Sequence, residues 1–283
     1  MIEKSYSLPS GTMMCQELGN PETAALTVVF VHGWLDNSAS FTSLMQAMHA
    51  KSNQYHLVAI DLFGHGHSSH KSGSYYPFHD YIDDLHQLVG KLSPNRLVLV
   101  GHSLGALIAS CYSAAFPEMV SGLIQIEGHG PLSEAPQATV SRLRDGVLSR
   151  QRQRRKPSRP LASLEDAIKL RSQANQIAPD LIAPVVVRGI AQFEGTWQWR
   201  SDPKLKCDSV YRMSQAHADA INEAIECPQL IILGNEGFKD LQHNRYKSTQ
   251  NPPIIKMISG GHHCHLENPE SVSELILGVV NKI

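Results

Sequence analysis

The chain has 283 residues, 42% of them hydrophobic and 18% charged, with a formal net charge of −1 at neutral pH. This composition allows one large core, or a core carrying a smaller insertion, and excludes a disordered chain. The balanced charge gives the whole molecule no pull toward nucleic acid or an anionic membrane. No run of about 18 apolar residues occurs, so no membrane span is expected. The opening Met1-Ile2-Glu3-Lys4-Ser5-Tyr6 lacks the basic-then-apolar pattern of a signal peptide. Five scattered cysteines without a CxxC pair predict reduced thiols and a cytoplasmic protein.

In chain order, Lys4–Leu8 and Thr12–Leu18 read as short strands split by the turn signal Pro9-Ser10-Gly11. An alternation then sets in: strand Leu26–Val31, helix Phe41–Ala50, strand His56–Ile60, helix Tyr81–Leu92, strand Arg96–Val100, helix Leu104–Phe116, strand Gly122–Ile126. On the second of these helices Ile82, Leu85, Leu88 and Val89 share one face. The strand runs lack polar alternation, which marks them as buried on both faces. Their alternation with helices predicts an α/β fold with a parallel sheet wrapped on both sides. The pattern resumes with strand Gln229–Leu233, a short helix over Leu241–Lys247, strand Ile254–Ile258 and helix Pro269–Val280.

Between residues 131 and 214 strand-like runs nearly vanish, and helical stretches fall at Ser163–Gln176 and Ala178–Ile190. The division expected is a core of residues 1–130 and 215–283 with a helical insertion over 131–214. Ligands of such sheets bind beyond the carboxyl ends of the strands, so an insertion leaving that edge would cover the site as a lid.

Gly101-His102-Ser103-Leu104-Gly105 matches G-x-S-x-G, entered by the strand run Leu97–Val100 and left by a helix. The sharp turn strains its central residue, and the flanking glycines remove Cβ atoms that would clash. Ser103 is therefore the candidate nucleophile. A tetrahedral intermediate needs two preorganised donors. One is the backbone N–H of Leu104; the other is the N–H of Trp34 in the loop His32-Gly33-Trp34-Leu35-Asp36. His32 itself reads as a structural residue holding that loop.

The base must be chosen among 15 histidines. Gly260-Gly261-His262-His263-Cys264-His265 follows the last strand run, which places it at the same sheet edge as the elbow. His262 is the choice, with His263 and His265 as competitors. The His-His-Cys-His cluster lacks paired ligands from a second segment, and no H-E-x-x-H occurs, so neither a metal nor a cofactor is expected.

With these residues in hand, the chain resembles the α/β-hydrolase superfamily over almost its full length. The matching pieces are His32-Gly33-Trp34, Asp61–Ser68, Gly101–Gly105 and Gly261–Pro269, in the family's order. Within it, His32–Asn37, Gly128-His129-Gly130-Pro131-Leu132, Trp199–Pro203 and Gly261-His262-His263 are most like the serine hydrolase-like proteins and their bacterial relatives. The resemblance implies a mostly parallel eight-stranded core with a helical cap after the sixth strand. It also implies that Asp61–Ser68 is a scaffold turn.

Many relatives carry the triad acid three residues after the glycine ending the strand before last. Here that position holds Gly237. Glu127, at the end of the strand beside the nucleophile strand, is the first substitute, because some branches of the superfamily place their acid there. Asp240 and Glu236 on the usual loop are the others, and a site without an acid partner stays open.

The segment 142–159 is strongly basic. It reads as a solvated cap face, or as a rim attracting an acidic substrate; without interleaved aromatics a nucleic-acid role is weak. Phe193, Trp197 and Trp199 either line an acyl pocket or join cap to core, and Arg200 with Asp202 is a candidate structural pair. The expected chemistry is acyl transfer to water on a small carboxylic ester, through a Ser-His-acid triad. Carbon–carbon bond hydrolysis of a vinylogous diketone is the alternative, and a low-turnover ligand-binding protein a third. The partner expected is a small-molecule substrate, on a monomer or homodimer.

Overall fold

A computed structural model describes residues 1–156, 160–243 and 251–283. The chain begins as a hairpin of β1 (Ile2–Leu8) and β2 (Gly11–Leu18), paired antiparallel. The core strands follow: β3 (Leu26–Val31), β4 (Tyr55–Ile60), β5 (Leu97–His102) and β6 (Val120–Ile126). Helices α1 (Thr42–Lys51), α2 (Asp80–Leu92) and α3 (Leu104–Ala115) connect them. Every residue of β3, β4 and β5 is buried, as unalternated apolar runs require when both sheet faces are covered.

After β6 comes the insertion: α4 (Thr139–Arg155), α5 (Leu164–Asn175), α6 (Pro179–Gly189) and a hairpin of β7 (Ile190–Phe193) and β8 (Thr196–Trp199). The hairpin is an addition to the purely helical expectation; its outward residues are short of the apolar runs that betray buried strands. The chain returns through α7 (Gln215–Glu223), β9 (Gln229–Gly234), α8 (Lys239–His243), β10 (Ile254–Ile258), α9 (Cys264–Glu267) and α10 (Pro269–Val280). The expected helix over 241–247 is described only as far as His243; its remainder and Arg159 lie outside the described residues.

Among the described residues the main sheet has eight strands in the order β1-β2-β4-β3-β5-β6-β9-β10. All neighbours from β4 to β10 are parallel. One apolar cluster packs α2 and α3 on one face, with Leu85, Leu88, Ile108 and Tyr112; a second packs α1 and α10 on the other, with Phe41, Met45, Ile276 and Val280. The parallel run points the loops after β3, β5, β6, β9 and β10 to one edge, where the site forms.

The insertion carries its own apolar cluster of Ala167, Ile182, Val185, Val186 and Ile190, against which Trp197 and Trp199 pack. It is pinned to the sheet by charge. Arg188 of α6 holds the buried Asp61, just beyond β4, with Nη2 2.8 Å and Nε 3.0 Å from Oδ2, and also pairs with Glu3 of β1. Burial alone would raise the Asp61 carboxyl, but Arg188 and the N–H groups of His67 and Ser38 outweigh it and hold it below the ordinary aspartate range.

Arg188→Ala should therefore cost about 3–5 kcal/mol of unfolding free energy, because it strands a buried carboxylate. Denaturant titration checks this, and an unchanged midpoint would show the clamp to be energetically idle. Since the folded Asp61 value is depressed, its contribution is full above about pH 4 and is lost as pH falls through the folded value.

Candidate active site

Ser103 sits between β5 and α3 with φ 50° and ψ −117°, a conformation costly for a residue with a Cβ. The turn is tight enough that a Cβ at Gly105 would lie 1.9 Å from the Val31 carbonyl oxygen, and one at Gly101 2.4 Å from the Ala106 nitrogen. The strained backbone is held by the Ser103 N–H donating to Ile126 O at 2.9 Å and by the Ala106 N–H donating to Ser103 O at 2.9 Å. Leu104 opens α3, where the first amides have no intrahelical acceptor.

His262 follows β10 and is held from three sides. Its Nδ1 lies 3.3 Å from Glu127 Oε2, its carbonyl accepts from His102 Nε2 at 2.8 Å, and its ring packs on Phe238 with centroids 4.2 Å apart. The Glu127 side chain is fully buried at the end of β6, on a residue with φ 48°. Oε1 accepts from the Gly234 N–H at 2.7 Å and Oε2 from the Phe238 N–H at 3.2 Å. The carboxylate thus has a donor for each oxygen as well as the imidazole, which a buried charge requires.

Gly237 explains why the carboxylate comes from β6. A Cβ built there would lie 2.3 Å from Glu127 Oε1. The space where an acid of the usual loop would begin is filled by the Glu127 carboxylate. Glu236 is exposed, and no contact joins it to His262. Asp240 lines the cavity but likewise makes no contact with His262.

Ser103, Glu127, Leu104 and Trp34 open onto one cavity of about 790 Å³, walled by apolar side chains such as Leu107, Leu132 and Met213. The insertion forms its roof through Leu205 to Ser209 and Tyr211 to Met213. The Trp34 indole N–H donates to Leu205 O at 3.0 Å, tying the loop after β3 to that roof. His32 is buried under this loop: it accepts from the Leu62 N–H at 3.0 Å through Nε2, so Nδ1 carries the proton donated to Gly33 O at 2.7 Å. Burial lowers its pKa and keeps the ring neutral.

Phe193, Trp197 and Trp199 do not line this cavity. Both tryptophans pack within the insertion instead. Asp202 pairs with Lys204 at 3.2 Å rather than with Arg200, whose Nε donates to Ile190 O. In the basic segment, Arg142 binds Glu134 at 2.6 Å, and Arg150 and Arg154 engage the Tyr75 ring and hydroxyl. These arginines hold α4 in place.

A second buried network lies behind the elbow, and the sequence gives no local sign of it. Asp36 accepts from Arg171 of α5 at 2.7 Å through Oδ1, while its Oδ2 lies 3.3 Å from His263 Nε2 and 3.7 Å from His102 Nδ1. Burial alone would raise the Asp36 carboxyl, but His263 and Arg171 outweigh it and hold it well below the aspartate range. Burial and the neighbouring histidines keep His102 neutral, its pKa well below the usual value. His265 is also buried and neutral, at about 3, and its Nε2 lies 2.8 Å from the Ser40 hydroxyl.

A serine at a strand-to-helix elbow on an eight-stranded, mostly parallel sheet defines the α/β-hydrolase class of fold. A family model described as alpha/beta hydrolase fold matches residues 27–269, and the chain belongs to that family. It is 28% identical over 267 residues to a serine hydrolase-like protein of Danio rerio, covering 88% of this chain and 79% of the other. To a probable serine hydrolase of Drosophila melanogaster it is 28% identical over 291 residues, 97% and 86% of the two chains. Among solved structures, a hypothetical protein of Pseudomonas aeruginosa PAO1 superposes with a TM-score of 0.87 at 29% identity, covering 98% and 97%. The thioesterase domain from the curacin biosynthetic pathway superposes with a TM-score of 0.85 at 23% identity, over 98% and 99%, and shares the fold. No helix among the described residues is long and apolar enough to cross a membrane.

Gly237→Ala should push the Glu127 carboxylate off its two amides and cost about 1.5–3 kcal/mol, the value of a lost charge-assisted hydrogen bond. In a Glu127→Ala background the same methyl should cost little. Thermal or denaturant unfolding of the four-member cycle measures the coupling; additive effects would show that the two residues do not share that space.

Proposed function

We propose that this hydrolase cleaves small carboxylic esters through Ser103, His262 and Glu127, with the amides of Trp34 and Leu104 as the oxyanion hole. The reading is carried by the contact of His262 with the buried Glu127, which opens together with the strained Ser103 onto one cavity. The region 131–214 is the cap over that cavity in this proposal.

Ser103 Oγ attacks the ester carbonyl carbon while His262 Nε2 takes its proton. The carbonyl electrons move to oxygen, where two amides stabilise the charge. Glu127 accepts from His262 Nδ1–H, fixes the tautomer and stabilises the imidazolium. Collapse breaks the bond to the alkoxy group, which leaves with the His262 proton. Water then attacks the acyl-Ser103 carbonyl, giving its proton to His262, and Ser103 leaves protonated with release of the acid. The cavity size is that of a pocket for a drug-sized ligand, and its apolar walls suit an acyl chain. Similarity over 99 residues (35% identity) to a pimeloyl-[acyl-carrier protein] methyl ester esterase of Shewanella woodyi supports ester chemistry.

A series of p-nitrophenyl esters from short to long acyl chains tests the reading. Wild type should turn over with an optimum at intermediate length, and Ser103→Ala should abolish turnover. Glu127→Gln should lower kcat by up to about 10⁴-fold with little change in KM. Glu127→Ala combined with Gly237→Asp should recover part of that loss, because the carboxylate then arises from the usual loop. Wild-type rates no higher than those of Ser103→Ala on every ester would exclude simple esterase activity.

A further inference from the structure

The network behind the elbow contains an electrostatic mismatch. The His262 carbonyl is only an acceptor, so His102 must present Nε2–H to it across 2.8 Å. In the neutral ring this leaves Nδ1 as a bare lone pair. That atom is buried with no hydrogen-bond partner, and it faces the Asp36 carboxylate oxygen at 3.7 Å, acceptor against acceptor. His263 repeats the problem. Its Nε2 lies 3.3 Å from Asp36 Oδ2 and 3.3 Å from Asn175 Nδ2. A neutral ring can give a proton to the carboxylate or accept one from the amide, but not both. In the tautomer protonated at Nδ1 and released from Asn175, the His263 Nε2 lone pair joins His102 Nδ1 and Asp36 Oδ2 around one buried point.

We propose that Asp36, His102 and His263 form a binding site for a divalent transition-metal ion of the zinc class. The three ligand atoms lie within 4.8 Å of one another. Tetrahedral zinc with bonds of about 2.0–2.1 Å needs ligand separations of about 3.3 Å. The Asp36–His263 edge already has this length, the Asp36–His102 edge is within a few tenths of an ångström of it, and the His102–His263 edge, within 4.8 Å, closes if both rings turn to the ion. Two imidazoles and one carboxylate make a donor set suited to zinc, cobalt or iron(II).

The outer contacts of His102 and Asp36 are those of a metal site, whereas His263 Nδ1, which would carry the proton, is buried without a hydrogen-bond partner. His102 donates its other ring nitrogen to a backbone carbonyl, which fixes the ligating tautomer. Arg171 occupies Asp36 Oδ1 and leaves Oδ2 to face the histidines. Gly33 keeps the near side of His102 clear, since a Cβ there would lie 2.9 Å from Nδ1. The second ligand segment missing from the His-His-Cys-His run is supplied by the loop after β3 and by the residue before Ser103.

An ion at this point cross-links the loop carrying Trp34, the elbow and the loop carrying His262. Its binding is therefore linked to stability and does not depend on the ester chemistry proposed above.

The test uses the chelator-stripped full chain with Zn²⁺ and Co²⁺ as probes. Isothermal titration should give one zinc ion per chain, and saturation should raise Tm by several degrees. His263→Gln should weaken the affinity at least about tenfold, whereas replacing an exposed histidine, His70→Gln, should leave it unchanged. His263→Cys places a thiolate at the same ligand position and should retain Co²⁺ with a sulfur-to-cobalt charge-transfer absorption absent from wild type. No saturable zinc binding by wild type overturns the proposal, whatever the variants do. So does binding of equal strength in His263→Gln, which would place the ion on another histidine. Should His263→Gln fail to fold, the cobalt spectrum of His263→Cys decides alone: its absence overturns the site.

Discussion

A carboxylate taken out of water must be met by donors, and the Glu127 carboxylate organises the reactive edge of the sheet because it is met by three donors from two segments, the end of β9 with the loop that follows it and the loop after β10. The amide at the end of β9, the amide of Phe238 and the His262 ring all turn toward it. Each donor belongs to a segment that would otherwise end freely at the sheet edge. Leaving any of them unpaired costs more than forming the bond gains. The positive φ of Glu127 belongs to the same constraint: the backbone accepts strain so that the side chain turns inward beside Ser103. Gly237 then has no freedom to be another residue, because the charge already occupies its side-chain space.

The insertion is joined to this edge by polar contacts more than by shared core. Its apolar cluster is its own, apart from Leu266 of α9. Among the contacts that cross to the core are Arg188 on Asp61, Arg171 on Asp36, Asn37 Nδ2 on Val185 O at 2.8 Å, and the Trp34 indole on Leu205 O. All four touch the loop after β3 or the turn after β4. The roof of the cavity is thereby registered against the loop that carries the Trp34 amide.

The sheet was legible because burial on both faces writes itself into the sequence as unbroken apolar runs. Leu26–Val31, Leu97–Val100 and Gly122–Ile126 each fall within a strand. The elbow was legible because its glycines are demanded by contacts within a few residues, with Ala106 for Gly101, or with the adjoining strand for Gly105. The hairpin β7–β8 escaped because four-residue strands with half-exposed side chains carry too little periodicity. The aromatics of that hairpin were ambiguous for a physical reason: a tryptophan fills an acyl pocket and a small core equally well, and only the packing decides. The carboxylate beside His262 could be narrowed to three but not fixed, because the distance from residue 127 to 262 is a property of strand order, which no local pattern encodes.

The network of Asp36, His102, His263 and Arg171 is the extreme case of that limit. Its members come from the loop after β3, the end of β5, the loop after β10 and helix α5. None is within sequence reach of another, so no spacing rule could assemble them. Yet each adjoins a segment that the site needs. Asp36 lies two residues past Trp34, His102 precedes Ser103, and His263 follows His262. The charges buried behind the elbow therefore fix the relative positions of the amide loop, the serine and the imidazole loop from the side away from the cavity, while Glu127 fixes the imidazole from β6.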